Sequence, residues 1–188
     1  MPTVIAATPN PALDLSMTVD KLEPHATHRI ATAKRKLGGK GLNVANVCAE
    51  QGYQAVALGP LSSADKEAYA DHPDTGLHTG VEAAFSPTPQ PVRCTWAIYE
   101  KTTNATYILN EPGFEHAREV WDDVVARVDK HVARDPHSVV TVSGSLPPGT
   151  PPELVESLIA AAHRAGGKII VDTSGPMLRT ACRAGLTW

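Results

Sequence analysis

The sequence is short of cysteine, short of aromatic residues and without a long apolar run, and each shortage closes off a class of protein. Its 188 residues hold three cysteines, Cys48, Cys94 and Cys182, scattered and odd in number. They imply neither a disulfide framework nor a zinc-type ligand spacing, and reduced thiols are expected. No stretch approaches the roughly 18 consecutive apolar residues of a membrane span, and Met1 to Thr8 lacks the charged start and long apolar core of a signal peptide. A cytoplasmic location is expected, with no membrane partner. The formal charge of -3, from 17 basic and 20 acidic residues, leaves no basic stripe, so nucleic acid is not an expected partner. The histidines form no metal-binding pair, and no metal site is expected on these residues.

What is present suits one globular domain: 42% of residues are hydrophobic and 20% charged. The most informative stretch is Lys36-Leu37-Gly38-Gly39-Lys40-Gly41-Leu42-Asn43-Val44-Ala45. Its glycines allow close approach to the backbone, and the helical pattern that follows offers the unpaired N–H groups of a first turn to an anionic or oxygen-rich guest. A sugar or sugar phosphate fits. A Walker A loop does not, because Lys40 is followed by Gly41 instead of a hydroxyl residue. No Gly-x-Gly-x-x-Gly follows the first strand either, which removes a dinucleotide-binding fingerprint.

In chain order, Thr3–Thr8 reads as a buried strand ended by Pro9-Asn10-Pro11. Leu13–Val19 and His28–Arg35 read as a half-exposed antiparallel pair. A helix is predicted over Leu42–Gln51 with Leu42, Ala45, Val47 and Cys48 inward and Gly52 as its stop. Strands are predicted at Gln54–Leu58 and Val81–Phe85, then a hairpin from Val92–Tyr99 and Ala105–Leu109. Ala117, Val120, Trp121, Val124, Val125, Val128 and Val132 mark an amphipathic helix with Trp121 in the core. Val139–Val142 is a strand, Pro151–Ala165 a helix capped by Thr150, Lys168–Val171 a strand and Met177–Ala184 a last helix. This alternation predicts an α/β fold with a mainly parallel sheet. Its ligand belongs at the carboxyl ends of the strands, where Asn10 with Asp14, Gly144-Ser145 and Asp172-Ser174 all fall.

Four segments carry a resemblance to a known family: Thr8-Pro9-Asn10-Pro11-Ala12-Leu13-Asp14, Gly38-Gly39-Lys40-Gly41-Leu42-Asn43-Val44-Ala45, Ser143-Gly144-Ser145-Leu146-Pro147-Pro148-Gly149 and Val171-Asp172-Thr173-Ser174-Gly175. In this order and spacing they resemble the ribokinase-like (PfkB) carbohydrate kinases, in the branch of 1-phosphofructokinase and tagatose-6-phosphate kinase. The resemblance implies a Rossmann-like core with a small β-sheet lid, its strands at about residues 13–36 and 92–109. It also implies ATP and magnesium as cofactors, and a ketohexose phosphate as substrate: fructose 1-phosphate, fructose 6-phosphate or tagatose 6-phosphate. Carried over to matching positions, it assigns Asp14 and Asn43 to sugar hydroxyls and Gly38 and Gly39 to close contact with the sugar. Arg93 and Arg29 are assigned to the substrate phosphate, with Lys40 assisting. A homodimer through the lid is a further implication.

The match stops short of a complete kinase. The family's catalytic Gly-Ala-Gly-Asp segment and its magnesium-tuning Asn-x-x-Glu stretch do not occur in these residues. The chain is therefore expected to be the N-terminal part, residues 1–188, of a ribokinase-like domain whose nucleotide-binding part is missing. It is expected to bind sugar phosphate and to be inactive alone, with no catalytic residue among its own. The alternatives are a non-catalytic sugar-phosphate-binding or interaction module, and an inactive truncated product.

Overall fold

The computed structural model describes residues 2–72, 74–164 and 166–184. Strand β1 (Val4–Ala7) is buried along its whole length, as a central parallel strand covered on both faces must be. It is followed by β2 (Ala12–Val19), β3 (Lys34–Gly38), helix α1 (Lys40–Glu50), β4 (Ala55–Leu58) and the short β5 (Pro60–Leu61). Next come a helical turn α2 (Ser63–Asp65) that widens into a π-type turn over Lys66–Ala70, then β6 (Val81–Ala83) and β7 (Ser86–Pro87). The lid hairpin β8 (Arg93–Glu100) and β9 (Ala105–Asn110) precedes α3 (Arg118–Arg134), β10 (Val139–Ser143), α4 (Leu154–Arg164), β11 (Lys168–Asp172) and α5 (Pro176–Arg183).

The main sheet is parallel throughout, in the order β11-β10-β1-β4-β6. Alternation along its strands sorts the core into two layers. Ile5, Ala7, Val56, Leu58, Val140 and Val142 meet α3 and α4 through Trp121, Val124, Val128, Val132 and Leu158. Ala6, Ala55 and Ala57 face α1, where Leu42, Ala45 and Ala49 fill the space. Small residues on that face let the helix lie close to the sheet.

The lid is a second sheet in the order β3-β2-β8-β9, antiparallel at both ends and parallel between β2 and β8. The antiparallel pair predicted from Leu13–Val19 and His28–Arg35 exists, but its second strand is Lys34–Gly38, displaced toward the glycines. The register is fixed by Leu13 opposite Leu37, which is fully buried, and a one-residue slip would turn Leu37 outward.

Two further predictions are corrected. Helix α1 begins at Lys40, two residues before Leu42, and its inward face holds Asn46 instead of Val47. Val47 is 55% exposed, whereas the Asn46 side chain accepts the His78 backbone N–H at 2.9 Å. Helix α4 begins at Leu154 rather than Pro151, because Thr150 gives its hydroxyl to the Pro147 carbonyl at 2.6 Å. The predicted end of this helix at Ala165 and the terminal Leu186-Thr187-Trp188 lie outside the described residues.

Candidate functional site

The order of the main sheet fixes where a ligand belongs. From β1 the chain builds outward to β4 and β6 on one side, and β10 and β11 fill the other, so the order reverses between β1 and β10. At such a reversal the connections leave the strand ends in opposite directions and open a crevice at the carboxyl edge. An open cleft of about 720 Å³ lies there. Asn10 after β1, Gly144 and Ser145 after β10, and Thr173 and Ser174 after β11 line it, with Lys40 of α1, Arg93 of β8 and the Asn110–Pro112 segment from the lid.

The backbone that supports these side chains is held by hydrogen bonds across the crevice. Asn10 Nδ2 donates to the Pro112 carbonyl at 3.0 Å and to Ser145 Oγ at 3.2 Å. Gly113, at φ +92°, makes room for it, since a Cβ there would stand 2.5 Å from Asn10 Oδ1. The Arg93 guanidinium donates from Nη1 to the Glu111 carbonyl at 3.0 Å and from Nε to the Asn10 carbonyl at 3.4 Å. Its Nη2 has no protein acceptor among the described residues, which leaves a donor toward the cleft that Arg93 lines. The Glu111 carboxylate accepts the Cys94 backbone N–H at 2.6 Å and so clamps the start of β8.

Asp14 stands behind Arg93, on β2. Burial pushes its carboxyl above the usual aspartate range, while the charges of Arg93 and Lys36 pull it back. Burial lowers the Arg93 value, and Asp14 and Glu111 oppose that. A Cβ at Gly38 would meet the Asp14 carboxylate, so a side chain there would displace that group. Gly39, at φ +119°, packs against Thr8 and Pro11. Both glycines thus spend their missing Cβ on the protein itself. Lys40 Nζ reaches Asp172 Oδ2 at 3.0 Å, joining α1 to the end of β11 through an ion pair exposed on both sides, worth little by itself.

Of the residues singled out in sequence, Arg93 and Lys40 line the cleft, Asp14 adjoins Arg93, and Gly38 adjoins Asp14. Asn43 is exposed on α1 and is not part of the cleft wall. Arg29 lies in the irregular 20–33 connection, also away from it. Sequence reasoning missed Asn110, Glu111 and Pro112, which come from the end of a lid strand. Thr173, within the Asp172–Ser174 segment expected at this edge, has a buried Oγ1 with no hydrogen-bond partner among the described residues. The described residues contain no group of three or more His, Cys, Asp or Glu able to hold a metal, and the cleft wall carries no aromatic ring for a nucleotide base.

Comparison with known proteins agrees with this architecture. Residues 5–187 match the model of the pfkB family of carbohydrate kinases. The chain is 32% identical over 185 residues to 1-phosphofructokinase of Xanthomonas campestris, covering 96% of this chain and 55% of that protein. It is 31% identical over 175 residues to 1-phosphofructokinase of Rhodobacter capsulatus, covering 93% and 54%. Phosphofructokinase-2 from Escherichia coli, solved in complex with fructose-6-phosphate and in a tetrameric inhibited form, superposes in both with a TM-score of 0.85 at 26% identity, over 98% of this chain and 59% of that one. The chain spans about half the length of the curated relatives it matches. It belongs to the pfkB family of carbohydrate kinases.

Proposed function

We propose that these residues form the sugar-phosphate-binding part of an ATP- and magnesium-dependent ketohexose-phosphate kinase. The observation that carries the reading is the convergence of a half-buried, carbonyl-anchored Arg93 with Asn10, Lys40 and Ser145 at the sheet's crevice. A planar cation fixed in this way is preorganised for a phosphate oxygen. Asn10, Ser145 and Thr173 supply the mixed donors and acceptors that sugar hydroxyls need. Asp14 acts as acceptor next to them. Gly38 and Gly39 shape the backbone beside it, and Asn43 and Arg29 are further candidates through the family resemblance alone. Fructose 1-phosphate, fructose 6-phosphate and tagatose 6-phosphate are the candidate ligands, in keeping with the 1-phosphofructokinase relatives and with the fructose-6-phosphate complex of the Escherichia coli enzyme. A cytoplasmic location goes with such metabolites.

The alternative reading is a module that binds the sugar phosphate without phosphoryl transfer. Calorimetric titration with the three ketohexose phosphates tests the binding both readings share, and turnover in a coupled ADP-release assay would reject the binding-only reading. No binding of any of the three rejects both.

The lid offers a surface for pairing. Tyr107, Ile108 and Leu109 on the edge strand β9 are 45%, 55% and 53% exposed, and a homodimer through this sheet would cover them.

A further inference from the structure

A second polar groove of about 270 Å³ lies away from the cleft, where α3 crosses the edge strand β6. Arg127, Lys130, His131 and Arg134 recur at three- and four-residue spacing, so they share one face of α3. Glu82 of β6 and Asp123 are the acidic groups that line the groove with them. Arg127 is committed to Asp123, from Nε to Oδ2 at 2.6 Å. Lys130 and Arg134 are not so committed: neither makes a hydrogen bond among the described residues, and Arg134 Nη1 stands 3.9 Å from Glu82 Oε1. His131 is only 8% exposed, and its Nε2 stands at the same 3.9 Å from Glu82, beyond hydrogen-bond reach. The groove therefore presents a largely buried imidazole with no hydrogen-bond partner among the described residues, beside two cations whose side chains make no hydrogen bond there either.

We propose that this groove binds a phosphate dianion, free or carried on a small ester, through Lys130, His131 and Arg134. A tetrahedral dianion presents charged oxygens in several directions and can accept from all three donors at once. No Phe, Tyr or Trp lines the groove. The site is separate from the sugar-phosphate cleft, yet α3 continues from the Glu111–Ala117 segment whose start walls that cleft.

The test is the titration of His131, followed by NMR of its imidazole in the 188-residue chain at constant ionic strength. Burial holds this histidine below its usual value; Glu82 raises it, and Arg134, Lys130 and Arg127 add to the lowering. A phosphate dianion at the ring favours the imidazolium, so replacing chloride by inorganic phosphate should raise the midpoint by about one pH unit. A glycerol 3-phosphate arm reports whether esters enter as well as the free ion. Lys130→Ala combined with Arg134→Ala should abolish the rise, whereas Arg93→Ala, in the other cleft, should leave it intact. His116, half-buried and edge-on to the Trp121 ring, serves as the control for folding. The proposal is overturned if His131 titrates alike in chloride and phosphate, if the rise survives the double variant, or if Arg93→Ala removes it.

Discussion

At the scale of the residue, the site rests on a compromise at Asp14. Its carboxyl is raised above the ordinary aspartate value because burial outweighs the help of Arg93 and Lys36. The folded state therefore holds the proton more tightly than the unfolded chain. Stability from this group is full below the unfolded value and is lost as pH rises through the folded one. Asp14→Asn should accordingly melt at a higher temperature than the parent at neutral pH, and the gain should shrink toward pH of about 4. Thermal melts at both values check this, and a variant less stable at neutral pH would contradict it. Gly38→Ala places a Cβ on the Asp14 carboxylate; overpacking of this kind costs about 1–3 kcal/mol, readable by urea unfolding. Lys40 and Asp14 were singled out because each stands in a compact motif, whereas Arg93, at the start of a hairpin, was assigned only through the family resemblance. Glu111 and Asn110 were not, because their place beside Asn10 depends on how a hairpin folds back over the sheet, and no local spacing records that.

At the scale of the element, helix α3 was the plainest feature of the sequence, and it carries the larger core layer. Trp121, at 2% exposure, packs among Val124, Leu154 and Leu158. Trp121→Ala should cost about 3–5 kcal/mol, and Trp121→Phe less, since it also removes an indole N–H that finds no partner among the described residues. Denaturant midpoints rank the two variants; equal losses would mean that the ring's volume is not what matters. Helix α1 was legible in extent but not in facing. Its hydrophobic residues suggested Val47 inward, while the buried position belongs to Asn46, whose amide oxygen meets the His78 backbone. A polar residue that earns burial through one long-range hydrogen bond leaves no trace in an apolar periodicity. The prediction is that Val47→Ala changes stability by less than about 0.5 kcal/mol, while Leu42→Ala costs about 2–5 kcal/mol.

At the scale of the whole molecule, alternating strands and helices announced a parallel sheet, but the order β11-β10-β1-β4-β6 depends on pairings between segments more than a hundred residues apart. The reversal beside β1 is what assembles the cleft, so the site's location follows from topology and its chemistry from motifs. The exposed apolar edge of the lid invites association. Ile108→Lys should shift the molar mass measured by light scattering from dimer to monomer, and an unchanged mass would place the contact elsewhere. The most direct test of the central claim is calorimetric titration of a ketohexose phosphate into the parent chain and Arg93→Ala. Loss of a charge-assisted hydrogen bond should weaken binding roughly 10- to 100-fold. Equal affinity for the two proteins would contradict the assignment of this cleft to the sugar phosphate.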